Sequence, residues 1–238
     1  MPEKIIIGNA ELWHGDCREV LPLLPKHDLL LTDPPYGIGE SSKRNASRGR
    51  PSKMCKKTTV KDYGYFDWDR KPIEDWILEI ARSLCGKQII FGGNYYDLPP
   101  CKGPLIWDKL NSGDFADGEM AWNNLGCALR IKRHLWNGFI REGHEERFHP
   151  TQKPLAVIAW CLSFVPDAAT VLDPFMGSGT TGVACAQLGK AFTGIERECR
   201  YFDIACERIA RAQSQGQLFA PETAPTPVQE RMALEVCH

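Results

Sequence analysis

Apolar residues along the chain fall into short runs separated by polar stretches, and two spacings recur. Ile5-Ile6-Ile7 and Glu11-Leu12-Trp13 predict a short strand or hairpin that ends at His14-Gly15-Asp16-Cys17. A short helix is expected over Arg18 to Leu24, stopped near Pro25. Asp28-Leu29-Leu30-Leu31-Thr32 has the continuous apolar character of a strand buried on both faces of a parallel sheet, and it runs directly into Asp33-Pro34-Pro35-Tyr36. Pro72 then opens a helical segment with Ile73, Ile77, Ile80, Ala81 and Leu84 at helical spacing, followed by a strand at Gln88–Phe91. Residues 103–148 hold only short strand-like pieces, Leu105–Trp107 and Ala128–Ile131 among them. Beyond them come a helix over Lys153–Val165, a strand at Ala169–Leu172, a glycine-rich turn and a helix over Thr180–Leu188. A strand at Ala191–Ile195 reaches Glu196, and a helix covers Cys199–Ala212. Strands alternating with helices define an α/β protein, a doubly wound, Rossmann-like parallel sheet. From Gln213 the chain turns Gln-, Ala- and Pro-rich, so residues 213–238 are expected to form a disordered tail behind one domain over 1–212.

Composition narrows the class. With 238 residues and 43% hydrophobic content the chain can build one full core. No apolar run approaches the roughly 20 residues that span a bilayer. Met1-Pro2-Glu3-Lys4 lacks a signal-peptide core, so the expected location is cytoplasmic and no membrane partner is expected. The ten cysteines are scattered with no Cys-x-x-Cys pair, which argues for reduced, mostly buried thiols and against a structural zinc site. A net charge of −1 says nothing about nucleic acid, but the distribution does. Between Glu40 and Asp62 there is no acid, while Lys43, Arg44, Arg48, Arg50, Lys53, Lys56, Lys57 and Lys61 crowd the loop at 41–62. A solvated loop is the plain reading of such a run; an anion-binding loop is the other.

Two segments carry chemistry. Val171-Leu172-Asp173-Pro174-Phe175-Met176-Gly177-Ser178-Gly179-Thr180-Thr181 is a strand, a glycine-rich turn and a helix start, a cradle with free amides for a polar ligand. No Lys follows the second glycine, so it is not a phosphate loop of the Walker kind. Glu196 ends the next strand, where a carboxylate can accept both ribose hydroxyls of a nucleoside. Asp33-Pro34-Pro35-Tyr36 also sits at a strand end, where ligands of parallel sheets bind. Its prolines remove two amide donors and leave carbonyls. A carboxylate, a carbonyl and an aromatic face suit a planar group bearing an NH₂.

These segments resemble those of amino-group DNA methyltransferases, specifically the group in which the catalytic motif precedes the cofactor loop. Asp33-Pro34-Pro35-Tyr36 is similar to the family's catalytic tetrapeptide, Asp173–Thr181 to its cofactor loop, and His149-Pro150-Thr151-Gln152-Lys153-Pro154 to the segment leading into the helix before that loop. Gly194-Ile195-Glu196 is similar to the ribose-binding strand end, and Gly15-Asp16-Cys17 to the strand end facing the cofactor's adenine. The resemblance covers roughly residues 5–212, with five motifs in order.

It implies S-adenosylmethionine as cofactor, held by Asp16, Asp33, His149, Thr151, Gln152, Lys153, Asp173, Phe175, Gly177, Ser178, Gly179, Thr180, Thr181 and Glu196. It implies catalysis by Asp33, Pro34, Pro35 and Tyr36 on a base flipped from double-stranded DNA, with no metal. The basic loop then becomes a DNA contact through Lys43, Arg44, Arg48, Arg50, Lys53, Lys56 and Lys57. Base reading is expected in a small target-recognition insertion at 103–148, with Arg130, Lys132 and Arg133 among the readers and Trp107, Trp122 and Trp136 as packing residues. That insertion is short, so a homodimer is one expectation. Nothing resembles a nuclease, which suits a stand-alone modification enzyme of a restriction-modification or phage system. Asp at the first tetrapeptide position favours adenine-N6 as target. Cytosine-N4 is the alternative, with RNA methylation or an inactive DNA-binding protein behind it.

Overall fold

In the computed structural model, residues 2–37, 72–110, 116–136, 145–149 and 151–215 are described. Among these residues the sheet has nine strands in the order β1-β2-β9-β8-β3-β4-β6-β5-β7. These are β1 (Glu3–Ile7), β2 (Ala10–His14), β3 (His27–Thr32), β4 (Cys85–Phe91), β5 (Leu105–Asp108), β6 (Gly118–Asn123), β7 (Arg130–Arg133), β8 (Thr170–Asp173) and β9 (Ala191–Glu196). Among the described residues five helices accompany them: α1 (Cys17–Val20), α2 (Asp75–Ser83), α3 (Leu155–Leu162), α4 (Thr180–Gln187) and α5 (Cys199–Ser214).

The central strands β2, β9, β8, β3 and β4 run parallel, as the apolar runs predict. The sheet as a whole is mixed, because β1 pairs antiparallel with β2 and β6 runs antiparallel to both β4 and β5. The described strands of 103–148 thus extend the sheet itself, and β7 forms its far edge against β5. β6 was not legible as a strand: Gly118-Glu119-Met120-Ala121-Trp122-Asn123 mixes polar and apolar residues without alternation.

Leu29, Leu30 and Leu31 of β3 are fully buried, alternately into the two cores. One core lies against α3, α4 and α5, through Val157, Ala184 and Ala205; the other lies against α1 and α2, through Val20 and Ile77. Burying a leucine stabilises by about 1.5–3 kcal/mol, so this run fixes β3 at the centre. Trp107, Trp122 and Trp136 are buried, as are the thiols of Cys161 and Cys185.

Element ends differ from the sequence reading for local reasons. The helix expected over 18–24 stops at Val20 and tightens into a 3₁₀ turn over Leu21–Leu23, because Pro22 offers no N–H. Pro72 does not open α2; it forms an isolated bridge with Tyr36, and the helix starts at Asp75 behind an extended Glu74. Lys153 precedes Pro154, which disfavours helical backbone, and α3 starts at Leu155. α5 runs on to Ser214, two residues into the stretch expected to be tail, the remainder of which lies outside the described residues. No described helix is long and apolar enough to cross a membrane.

Candidate active site

A cavity of about 280 Å³ opens at the carboxyl ends of β2, β9, β8 and β3. Asp16, Asp33, His149, Thr151, Gln152, Lys153, Asp173, Phe175, Gly177, Ser178, Thr180, Thr181 and Glu196 all line it. Of the expected cofactor residues only Gly179 stands behind the wall. Its φ is +78°, and a Cβ there would lie 2.9 Å from that of Ala205, so the turn into α4 requires glycine.

The groups on the wall are held in distinct ways. Glu196 Oε1 accepts the Glu198 amide at 2.7 Å, and the Glu196 carbonyl accepts the Gly15 amide at 3.0 Å, joining the ends of β9 and β2. Burial raises the Glu196 carboxyl to about 7, against the nearby amides of Glu198, Arg197 and Gly177. Asp173 is also raised by burial, to about 6, although Thr181 and Thr32 hydroxyls (2.7 and 2.8 Å) and the Phe175 amide (3.1 Å) donate to it. Both Asp173 oxygens are therefore engaged in building the loop. Asp16 caps α1 through the Arg18 amide at 2.9 Å and grips the Arg18 guanidinium, which holds its carboxyl below the usual range. Burial pushes His149 down to about 3, so its ring is neutral; Nδ1 accepts the Thr151 amide at 3.2 Å and the ring packs on Tyr201.

Gln152 acts as a latch: Oε1 accepts the Phe148 amide (2.8 Å) and the Ser178 hydroxyl (3.2 Å), and Nε2 donates to Glu145 (3.0 Å). Arg208 of α5 closes the same network, donating to the Ser178 carbonyl at 2.5 Å and lying 3.5 Å from Glu145. Neither Arg208 nor Glu145 was singled out from the sequence. A signal existed for Arg208, a cation on the helix stripe of Tyr201, Ala205, Ile209 and Ala212, all of which are buried.

The tetrapeptide forms a second wall. Tyr36 donates its hydroxyl to Asp33 Oδ1, and its ring stacks on Tyr95 with centroids 4.8 Å apart and planes 12° apart. Tyr96 donates to the Pro35 carbonyl at 2.6 Å. Gly92, at φ +66°, leaves the room: a Cβ there would lie 2.1 Å from Tyr36 Cε1. Asp33 and Pro35 face the cavity, whereas Pro34, which is buried, and Tyr36 do not line it. Lys153, 6% exposed, donates to Asp33 Oδ2 and lies 3.1 Å from Glu119 Oε2 on β6. Lys153 therefore sits between two carboxylates rather than facing the cavity alone. Tyr95, Tyr96 and Glu119 were not found from sequence, because only tertiary packing brings them to β3.

Of the expected DNA contacts, Lys43, Arg44, Arg48, Arg50, Lys53, Lys56 and Lys57 lie outside the described residues. Arg130, Lys132 and Arg133 lie on the edge strand β7, four strands from β3 and away from the cavity, with Arg133 3.4 Å from Asp108.

A family model described as DNA methylase, of the N6/N4 amino type, matches residues 117–207. The chain is 26% identical over 260 residues to the type II methyltransferase M.ScaI of Streptomyces caespitosus, covering 87% of this chain and 84% of that one. It is 28% identical over 254 residues to M.HinfI of Haemophilus influenzae, covering 88% and 70%. Among solved structures, M1.HpyAVI in complex with SAM aligns at TM-score 0.52 and 26% identity over 84% of this chain and 99% of that one. The cytosine-N4-specific PvuII DNA methyltransferase aligns at TM-score 0.54 and 15% identity over 88% and 93%, a likeness of fold. The match to the N6/N4 family model over residues 117–207, the two type II methyltransferases and the M1.HpyAVI structure together support an amino-methyltransferase of the adenine-N6/cytosine-N4 family. The resemblance carried by the five motifs is borne out.

Proposed function

We propose that this chain transfers the methyl group of S-adenosylmethionine to the exocyclic amino group of adenine in double-stranded DNA. The observation that carries the reading is one cavity that meets a glycine turn and the Glu196 carboxylate on one side and Asp33 on the other. The lining fits the cofactor. Glu196, raised to about 7 by burial, gains from hydroxyl donors such as those of a ribose, and Ile73, Ile77 and Phe175 supply apolar wall for a flat base. Neutral His149 and the Gly177–Thr181 turn would hold the amino-acid end. When bound, the cofactor supplies an electrophilic sulfonium methyl.

The chain's own residues do the rest. An exocyclic amino nitrogen is a poor nucleophile, because its lone pair is spread into the ring. Asp33 and the Pro34 carbonyl each accept one N–H, which turns that lone pair toward the cavity. Asp33 has capacity left for this, since each carboxylate oxygen takes two donors and Tyr36 and Lys153 use one site each. Tyr96 holds the Pro35 carbonyl and so fixes the backbone that presents Pro34. The Tyr36–Tyr95 pair offers the flipped base a surface to stack on. Rate enhancement comes from positioning and charge compensation. Lys43 to Lys57 would grip phosphates, and 103–148, with Arg130, Lys132 and Arg133, would read bases, in a methyltransferase unit over 1–212 working in the cytoplasm.

Adenine rests on Asp33 at the first position of the tetrapeptide. Incubation with labelled S-adenosylmethionine and unmethylated genomic DNA, followed by nucleoside analysis, tests this. N6-methyladenine is the expected product. N4-methylcytosine would correct the base, and no incorporation by protein that binds the cofactor would overturn the reading.

A further inference from the structure

Behind Asp33 runs a chain of alternating charges that leads out of the tetrapeptide into the β5–β6 hairpin. Lys153 Nζ pairs with Asp33 Oδ2 and lies 3.1 Å from Glu119 Oε2. Glu119 Oε1 is in turn 2.5 Å from Lys109 Nζ. Oε2 of Glu119 is shut off from solvent, and the Lys153 ammonium is the cation that faces it. Aromatic rings wall the chain: Lys153 lies 5.2 Å from the Phe91 centroid and 5.7 Å from that of Tyr36, and Lys109 lies 5.0 Å from Trp107.

Stability is a weak reason for such an array. Buried ion pairs recover little more than their desolvation, and apolar replacements of equal volume often do as well. A single Lys–Asp pair would also satisfy both partners. What the second carboxylate adds is competition for the same ammonium. With Glu119 present, Lys153 is divided between two anions; without it, Lys153 would turn wholly to Asp33.

We propose that Glu119 is a positioning residue for amino-methyl transfer: acting through Lys153, it sets the charge and orientation with which Asp33 meets the amino group. This rests on the assignment of Asp33 above. The charges of the cluster have the required signs. Burial would raise Glu119, but Lys153 and Lys109 hold it down at about 2, so it is an anion at working pH. Burial raises Asp33, Lys153 and the Tyr36 hydroxyl pull it down, and the Glu119 charge raises it. Other titratable groups facing this cluster among the described residues are the Tyr36 hydroxyl, raised by burial and by the Asp33 and Glu119 charges, Tyr96 beside it, Asp173 on β8 and neutral His149.

The test reads Asp33 directly. In protein labelled at the aspartate carboxyl carbons, with Asp33→Asn to assign the signal, the Asp33 titration is followed by NMR. Glu119→Gln should move its midpoint to lower pH, because Lys153 then serves Asp33 alone. Lys153→Gln should move it to higher pH. Lys109→Met should also move it up, since Glu119 then draws Lys153 away; this variant probes the coupling without touching Glu119, should Glu119→Gln fail to fold. In methyl-transfer assays the acid limb of kcat/KM should follow the same displacements. With Glu119→Gln kcat should fall tenfold or more, as a misplacement of about 1 Å costs roughly 10²-fold, while cofactor Kd stays within about twofold. An Asp33 midpoint unmoved by Glu119→Gln and Lys109→Met overturns the proposal, even where methylation proceeds. Midpoints that move as stated in a protein that methylates no DNA would uphold the coupling and remove the functional reading instead.

Discussion

Replacing Glu196 by glutamine keeps the shape of the side chain and removes its charge. One carboxylate oxygen accepts the Glu198 amide at 2.7 Å, and the group faces the cavity at the end of β9. Glutamine retains one acceptor oxygen and turns an NH₂ toward the other partner, so one charge-assisted hydrogen bond to a ribose hydroxyl is lost. Such a bond is worth about 1.5–3 kcal/mol, which weakens cofactor binding roughly 10- to 150-fold. pH supplies a second signature. The Glu196 carboxyl stands at about 7 in the fold against an ordinary 4.5, and hydroxyl donors favour its ionised form. Wild-type affinity should therefore weaken by about tenfold from pH 8 to pH 6, while Glu196→Gln should bind equally at both. The sign for the unliganded fold is opposite. A raised carboxyl contributes stability that is present below 4.5 and lost as pH rises through about 7, so at pH 8 the glutamine variant should melt higher than wild type. Calorimetric titration with S-adenosylmethionine at the two pH values, beside thermal melts, measures all three. Affinity within twofold of wild type, or an unchanged pH slope, would refute the placement of the ribose at Glu196.

Asp33→Asn should abolish methyl transfer while leaving the calorimetric cofactor Kd within a few-fold; wild-type turnover would remove Asp33 from the chemistry. Gly92→Ala should lower stability by about 1 kcal/mol or more for the left-handed backbone, and should cut activity beyond that by displacing the Tyr36 ring; unchanged melting and turnover would dismiss the constraint. Replacing Lys53, Lys56 and Lys57 by alanine should weaken binding to any duplex and lower the slope of log K against log salt by up to about 3, read by anisotropy titrations; an unchanged slope would take the segment off the phosphates.

Much of the cofactor wall was legible in the sequence because each of its parts is local. The apolar runs of β3, β8 and β9 announce buried strands, and a motif at the end of each lands at the same edge of a parallel sheet. Gly179 and Asp173 act within a few residues of their own positions. The chemistry behind Asp33 was not legible for the converse reason. Glu119 meets Lys153 across 34 residues of sequence and Tyr95 meets Tyr36 across 59, and no periodicity marks a contact between separate strands. Lys153 was read as a cofactor residue from its motif, whereas packing gives it two carboxylates. β6 was missed for a related reason: it is short and mixed, and its pairing comes from β4 and β5 on either side, whereas the strand-like piece expected at 128–131 appears as the edge strand β7 over Arg130–Arg133.

The join between β3 and β8 has a consequence for how the chain folds. Two residue pairs, Leu29 with Val171 and Leu30 with Leu172, carry that ladder, and Asp28 reinforces it through Thr170 across 142 positions. Closing a loop of that length costs on the order of 4 kcal/mol of chain entropy before any contact across it forms, so this seam is expected to close late. Asp33 and Glu196 stand at the ends of strands β3 and β9, which β8 joins only when this seam closes. The cofactor would bind closed chains alone, and at a hundredfold excess over Kd it would favour them by about 2.7 kcal/mol. Its supply in the cell would then govern how long each copy survives proteolysis as well as how fast it works.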